Sequence, residues 1–178
     1  MNFAIIGFFS CSLLGMQGAL IILFGHGIIA TGLFFAIGCL YDRHHTRDLN
    51  SYGGLLRTMP IFSGFLLLLV LSSIGLPGTV NFTGEFLVLF SIVAINDYLP
   101  YVILITLVLN LVYMILCYTK IITGNVRFEM RNYYDVTRNE SLIFTLIAFT
   151  VIMLGIFPIV LIDFISPTLQ CTFTDYIG

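Results

Sequence analysis

Apolar runs long enough to cross a lipid bilayer dominate this 178-residue chain. Residues 99–119, for example, contain no charged side chain. A helix needs about 20 residues, at about 1.5 Å each, to cross a hydrocarbon core of about 30 Å. Charged residues make up 9% of the chain, whereas a soluble domain carries about a quarter. We therefore predict an integral membrane protein.

The backbone restricts how such a chain can span the bilayer. Lipid cannot satisfy N–H and C=O groups, so only helices and closed barrels cross it, and these runs are too continuous for a barrel's alternating pattern. The predicted fold class is all-α: a polytopic transmembrane helix bundle with one discontinuous helix, forming a single domain over residues 1–178. The first 14 residues lack the features of a secretory signal or an import presequence, so we assign them to the mature protein.

Polar breaks divide the chain into a short opening helix and four predicted spans. The opening helix covers residues 2–14, and a polar tail follows Pro167. The spans cover about 17–41, 58–95, 99–122 and 140–166, separated by loops at 42–57, 96–98 and 123–139.

The basic residues support this layout, because all of them lie in or beside the first and third loops. They are Arg43, Arg47, Arg57, Lys120, Arg127, Arg131 and Arg138. The positive-inside rule places segments 42–57 and 120–139 on the matrix or cytoplasmic side. The tail would then lie on the opposite, intermembrane-space side.

Residues 58–95 are too many for one straight crossing, because an unbroken helix of that length would extend about 55 Å. The stretch GLPGTVNFTGE at 75–85 concentrates Gly, Pro and hydrogen-bonding side chains between two apolar segments. We predict half-helices at 60–74 and 84–95, joined by a break whose residues are Gly75, Pro77, Gly78 and Gly84. Irregular backbone at membrane depth occurs only where it is buried in protein or lines a wet cavity. The break is therefore the first indication of function.

The opening segment predicts a partner chain. Residues 1–14 form only about 20 Å of helix, so a turn at Leu14 would leave Met1 inside the hydrocarbon region. A free ammonium group there is costly. A retained N-formyl group or a neighbouring chain that continues the helix would remove that cost, and both imply a larger assembly.

Two ionisable residues, His26 and Glu85, fall well inside predicted spans. Intramembrane ionisable groups indicate a functional site because their cost must be offset, and an imidazole and a carboxyl group can together relay protons. The structural alternatives are a neutral core histidine and a carboxylate stabilised by the N-terminus of the second half-helix. Neutral polar residues near the spans are expected mostly to bond helix to helix, with a minority holding water: Asn81, Thr83, Thr106, Asn110, Tyr113, Thr145 and Thr150.

The first loop carries the stretch DRHHTR at 42–47. Adjacent histidines point in different directions on a helix, and no cysteine or acidic cluster completes a metal site. We expect Arg43, His45 and Arg47 to make inter-subunit electrostatic contacts on the matrix side, with a solvated loop end as the alternative. The chain has no phosphate-binding loop and no haem or iron–sulfur motif, so it is expected to bind no cofactor itself.

Three motifs then point to a family: LYDRHHTRDLNSYGGL at 40–55, TMP at 58–60 and LPGTVNFTGEF at 76–86. In this order and spacing they resemble the antiporter-like, proton-pumping subunits of respiratory complex I, related to Mrp-type Na⁺/H⁺ antiporters. The resemblance is to the C-terminal part of subunit 4 and covers nearly the whole chain. It implies the eleventh to fourteenth helices of a fourteen-helix protein, with His26 on the central hydrophilic axis and Glu85 in the broken twelfth helix.

The same resemblance implies a function, and it indicates which parts of the family's protein this chain lacks. The chain would be a proton-translocating subunit of NADH:ubiquinone oxidoreductase in the mitochondrial inner membrane, with NADH, FMN, iron–sulfur clusters and ubiquinone bound by other subunits. The family's usual serine before the histidine is Gly25 here, and the residues of its earlier helices are absent. We expect a separate N-terminal fragment to supply them, together with contacts to other membrane-arm subunits and lipids, and none to nucleic acid. The alternatives are a fragment of a stand-alone cation/proton antiporter, a plastid or bacterial homologue, and a purely structural membrane subunit.

Overall fold

The structure, a computed structural model, describes residues 1–95, 98–124 and 134–177, with the side chains of Asn50 and of 172–177 excepted. Every regular element in this part of the chain is helical, which confirms the all-α fold class. Two predicted loops lie partly outside the described residues, and with them Arg127 and Arg131.

Eight α-helices and one 3₁₀ turn at Leu49–Ser51 make up the described chain. The helices are α1 Asn2–Phe9, α2 Leu13–His44, α3 Leu55–Thr58, α4 Pro60–Ile74, α5 Val80–Val93, α6 Leu99–Ile122, α7 Arg138–Ile156 and α8 Ile159–Ile177. By length and composition α2, α6 and α7 can each cross a membrane, whereas the apolar helices α4 and α5 are shorter.

The opening helix ends earlier than the sequence predicts, at Phe9 instead of near Leu14. Ser12 is the N-cap of α2, and its side chain accepts a hydrogen bond from the Gly15 amide at 3.0 Å. Such a cap satisfies one of the amides that a helix leaves free at its start. The turn therefore lies at residues 10–12, where Cys11 has a φ of 45°.

The long region 58–95 is broken into α4 and α5. Gly75 ends α4 in the left-handed conformation, at a φ of 87°, which glycine adopts without steric cost. Thr79 is the N-cap of α5, so the irregular backbone covers only residues 75–79. Gly84 was predicted in this break, but the structure places it inside α5.

Gly84 lies instead where α2 and α5 cross. A Cβ at Gly18 would lie 2.8 Å from the Gly84 carbonyl oxygen, and a Cβ at Gly84 would lie 2.9 Å from that of Gly18. Farther along α2, Gly25 faces Val80 and Asn81, so the two helices run antiparallel. Small residues at such crossings let backbones approach closely and pack by van der Waals contact.

The last predicted span, 140–166 followed by a polar tail, is wrong in outline. Helix α7 ends at Ile156, and a second helix, α8, begins at Ile159 and continues through Pro167. Pro158 has no N–H to donate and disfavours the helical conformation at Phe157, which accounts for the interruption. Helix α8 packs back on α2, where the Gln17 amide donates to Ser166 Oγ at 2.9 Å.

The described parts of both basic loops lie at one end of the bundle. The Gly54 amide donates to the Thr123 carbonyl at 3.2 Å, which joins the first loop to the end of α6. The Asp135 carboxylate accepts from the amides of Ile61 and Phe62 at the start of α4. The described parts of the two basic loops therefore lie at the same end of the bundle, as the charge pattern predicts.

Candidate functional site

A cavity of about 320 Å³ is bordered by the broken helix, α1, α2 and α6. Helices α1 and α2 supply most of its apolar wall, including Phe3, Ile22 and Leu33. The side-chain polar groups that line it from α2, α4, α5 and α6 are His26, Ser73, Asn81, Glu85, Thr106 and Asn110. The two ionisable residues singled out from the sequence thus face one space.

His26 lies near the middle of α2 and lines the cavity together with Ile22, Ile29 and Ala30. These positions recur every three or four residues, so they form one face of the helix. The imidazole is nevertheless exposed at the surface of this chain. An ionisable group at that depth is costly against lipid, so this face needs a protein or water neighbour.

Glu85 lies on α5, one turn after Asn81, and is partly buried. Its carboxylate rests directly on the backbone of Gly75, where an added Cβ would collide with Oε2. The break therefore supplies the surface on which the carboxyl group sits. Glu85 also borders a second, more apolar cavity of about 250 Å³ between α5 and α6, lined by Phe86 and Leu111.

The backbone of the break is covered by α7. A Cβ at Gly155 would collide with the Gly78 carbonyl oxygen and lie 2.6 Å from Thr79 Cα. On the other side, Asn110 of α6 donates to the Ser73 carbonyl, one of the last in α4, at 3.4 Å. Irregular backbone at membrane depth needs such protein cover.

The first-loop residues take separate roles and do not reach the cavity. Arg43 was predicted to contact other subunits, but it forms a double hydrogen bond with Glu140, at 3.1 and 2.7 Å, inside this chain. His45 and Arg47 are exposed, and the Arg47 guanidinium lies 5.0 Å from the centre of the Tyr41 ring. Among the described residues no group of three His, Cys, Asp or Glu side chains could hold a metal ion.

Some residues of the site are not evident from the sequence. Ser73 is one of several serines in apolar helices, and no pattern distinguishes it from Ser63 or Ser72. Gly155 contacts the break from a helix that lies more than 70 positions away along the chain. Gly25 departs from a family pattern, and the structure adds that the absence of its side chain makes room for Asn81.

This arrangement suits proton transfer. A carboxyl group and an imidazole can each take up and release a proton, and neutral polar groups around the same cavity can hold water between them. Fold and site together define a polytopic membrane protein in which a broken helix holds a carboxyl group beside a histidine-bearing helix.

The chain belongs to the NADH:quinone oxidoreductase/Mrp antiporter transmembrane family, whose model matches residues 1–110. It is 37% identical over 164 residues to NADH-ubiquinone oxidoreductase chain 4 of Marchantia polymorpha, covering 92% of this chain and 33% of that protein. The protein of the same name from Acanthamoeba castellanii is 39% identical over 160 residues, which cover 88% of this chain and 32% of that protein. The chain thus spans about a third of these relatives' length.

Solved structures show the same fold. Respiratory complex I from Thermus thermophilus with bound NADH contains a chain that matches with a TM-score of 0.88 and 27% identity, over 98% of this chain and 37% of that one. A chain of the Mrp complex from Dietzia matches with a TM-score of 0.80 at 16% identity, over 95% and 40%, which speaks for the fold alone.

Proposed function

We propose that this chain is the C-terminal part of a proton-translocating, antiporter-like subunit of NADH:ubiquinone oxidoreductase. The observation that carries the proposal is the single cavity lined by both His26 and Glu85, with the carboxylate seated on the helix break. His26 would pass protons along the membrane axis, and Glu85 would receive them at the outlet. The names of the relatives support the assignment to this enzyme.

The redox chemistry belongs to other subunits in this proposal. NADH, FMN, iron–sulfur clusters and ubiquinone would be bound there, and this chain would contribute to the enzyme only by moving protons. We assign it to the mitochondrial inner membrane as a multi-pass protein, with loops 42–57 and 120–139 on the matrix side. The clustering of the described basic residues at one end of the bundle supports that orientation.

The remaining two thirds of the subunit would be a separate N-terminal fragment. The imidazole of His26 is exposed at the surface of this chain, and an ionisable side chain at mid-membrane depth is costly against lipid, so this fragment would supply its neighbour. On α6, Tyr101, Ile105 and Leu109 are all more than half exposed, so this face is open to the fragment or to lipid. Other membrane-arm subunits and lipids would cover the surfaces of this chain that the fragment does not contact.

Purification of the assembly through a tag on this chain tests the partner assignment. We expect it to bring down flavin-containing and iron–sulfur subunits, and a second membrane polypeptide similar to the N-terminal two thirds of the relatives. Recovery with cation/proton antiporter subunits alone would favour the stand-alone antiporter. Recovery of one long polypeptide that carries both parts would contradict the separate fragment.

Replacement of His26 by alanine in the assembled enzyme tests the proton path. General acid–base groups contribute about a hundredfold or more, so we expect proton translocation to fall by at least about tenfold. The fold of this chain itself should be unaffected, because the imidazole packs in no cluster of buried residues within the described part. Exposed Thr31 on the same helix gives the matched control, Thr31→Ala. Normal pumping by a His26→Ala, Glu85→Ala double variant would favour the alternative that the chain is a purely structural membrane subunit.

A further inference from the structure

The second cavity, between α5 and α6, has one polar side chain in an otherwise apolar wall. Its volume is about 250 Å³, and every described side chain that lines it is hydrophobic except that of Glu85. The hydrophobic ones come from α4, α5 and α6 and include Leu89, Leu107 and Leu111. Small-molecule sites in proteins are usually concave and apolar, with a few polar groups that fix the orientation of the ligand. The composition of this cavity is therefore that of a binding site.

The carboxyl group of Glu85 lies at the wall of the second cavity. It rests on Gly75, which lines the second cavity and is not among the residues that line the first. No hydrogen bond or salt bridge joins this carboxyl group to any residue that the structure describes. A carboxylate in apolar surroundings is costly unless a cation is paired with it. The cavity thus offers an acid with no counter-ion in contact with it.

The remaining walls favour an organic cation that arrives from the bilayer. Phe82 and Phe86 line the cavity with their ring centres 6.1 Å apart, and aromatic rings attract ammonium groups. Phe86 and Val108 are both more than half exposed, so the cavity opens at the surface of the chain. Helix α6 is long and apolar enough to cross a membrane, and Val108 lies near its middle. The opening therefore lies at the depth where lipophilic molecules dissolve in the bilayer.

We propose that the second cavity binds lipophilic amines, with the ammonium group paired to Glu85 and the apolar part held against Phe86. An apolar cavity of about 150 Å³ holds benzene, so this one has room for a phenyl ring on a short aminoalkyl chain. Amines are far more basic than carboxylic acids. A neutral amine that meets the protonated acid takes up its proton, and an ammonium ion that meets the carboxylate pairs with it directly. Both routes end in one ammonium–carboxylate pair.

Occupation of this cavity stops Glu85 from exchanging protons, a consequence that rests on the proposed function although the binding itself does not. Phenethylamine and phenethyl alcohol test it, because they differ only in an amino against a hydroxyl group. We expect the amine to inhibit proton translocation at a concentration at least about tenfold lower, since only the amine forms a charge-assisted hydrogen bond with the carboxylate. The membrane potential is the readout, because a permeant base collapses a pH gradient by itself.

Photolabelling of the complete, purified enzyme tests the binding separately from activity. The probe is an aryl-azide derivative of phenethylamine, and mass spectrometry locates the labelled peptide. We expect the label on the segments of α5 and α6 that line the second cavity. Phenethylamine should displace it at a concentration at least about tenfold lower than phenethyl alcohol, because the alcohol leaves the carboxylate without a counter-ion.

Three variants assign the binding to named side chains. Glu85→Gln should lower the labelling by at least about tenfold, because an amide does not pair with an ammonium ion. Phe86→Ala should lower it by about tenfold through loss of the ring. Phe90→Ala is the matched control and should label to within about twofold. Phe90 lies 5.9 Å from Phe86 between ring centres and is similarly exposed, but it does not line the cavity.

The outcomes separate this proposal from the proposed function. Equal displacement by the amine and the alcohol would mean that the cavity selects apolar shape alone, as for a lipid acyl chain, and would overturn the proposal. Label elsewhere, or an equal loss in Phe86→Ala and Phe90→Ala, would also overturn it. If Phe86→Ala does not assemble, Phe86→Leu replaces it. Should Glu85→Gln pump normally yet lose the label, the proposed function fails and the binding site stands. Should it lose pumping yet keep the label, the binding site fails and the proposed function stands.

Discussion

Replacement of Glu85 by glutamine should reduce proton translocation by at least about tenfold, because the amide keeps the shape of the side chain but cannot exchange a proton. The carboxylate sits on the backbone of Gly75 and borders both cavities, so it occupies the junction between the His26 side and the space between α5 and α6. No other described acidic residue lines either cavity. Proton pumping by the purified, reconstituted enzyme is the measurement.

Two further variants make the Glu85 result specific. Glu85→Asp retains a carboxyl group on a shorter side chain and should recover part of the activity. The amount of assembled enzyme, measured on a native gel, should be the same for all variants, because glutamine fits where glutamate fits. Undiminished pumping by Glu85→Gln would remove this residue from the proton path.

Enlarging Gly18 should prevent normal assembly. The added Cβ of Gly18→Ala would lie 2.8 Å from the Gly84 carbonyl oxygen and 2.9 Å from Val88 Cγ2. The backbone of α5 cannot move aside as a flexible side chain does. We therefore expect Gly18→Ala to lower the stability of the folded protein by about 1–3 kcal/mol, the usual range for overpacking. Gly18→Leu forces the helices farther apart and should leave little assembled protein.

A matched glycine exists on the same helix. A Cβ at Gly38 would have no neighbouring atom within 4 Å, so Gly38→Ala should assemble like the unchanged chain. Thermal stability of the purified enzyme and its yield distinguish the two alanine variants. If Gly18→Leu assembles normally, α2 and α5 can separate without loss, and their close crossing does not hold His26 near Asn81.

The helix break shows what local sequence could and could not predict. The boundary at Ile74 follows from glycine at position 75, whose positive φ ends the helix locally. The start of α5 was placed at Gly84 because glycines, Pro77 and polar side chains extend that far along the chain. The helix begins at Val80 instead, since Gly84 is required by its contact with Gly18 and not by a turn. A glycine that permits a turn and one that permits close packing are identical in sequence.

The charged groups follow the same division. Sequence pattern indicated that basic residues share one end of the bundle, because charge placement along alternating spans is a local property. The sequence pattern predicted that Arg43 contacts another subunit. Its partner is Glu140 of the same chain, which lies 97 positions away, and no local pattern pairs the two residues. The end of the last span was missed for a different reason. Pro158 is a local signal, but the apolar composition continues across it.

The sequence by itself determined that the chain lies in a membrane and that its fold is helical. It also determined where one helix breaks and which two ionisable residues lie well inside the spans. These follow from composition and from the conformations that glycine and proline permit. Only the tertiary structure decided that His26 and Glu85 line one cavity, that Asn81 is buried between their helices and that Gly155 covers the break. Those facts depend on which distant helices pack together, and close packing is set by shape across the whole bundle, which no short stretch of sequence encodes.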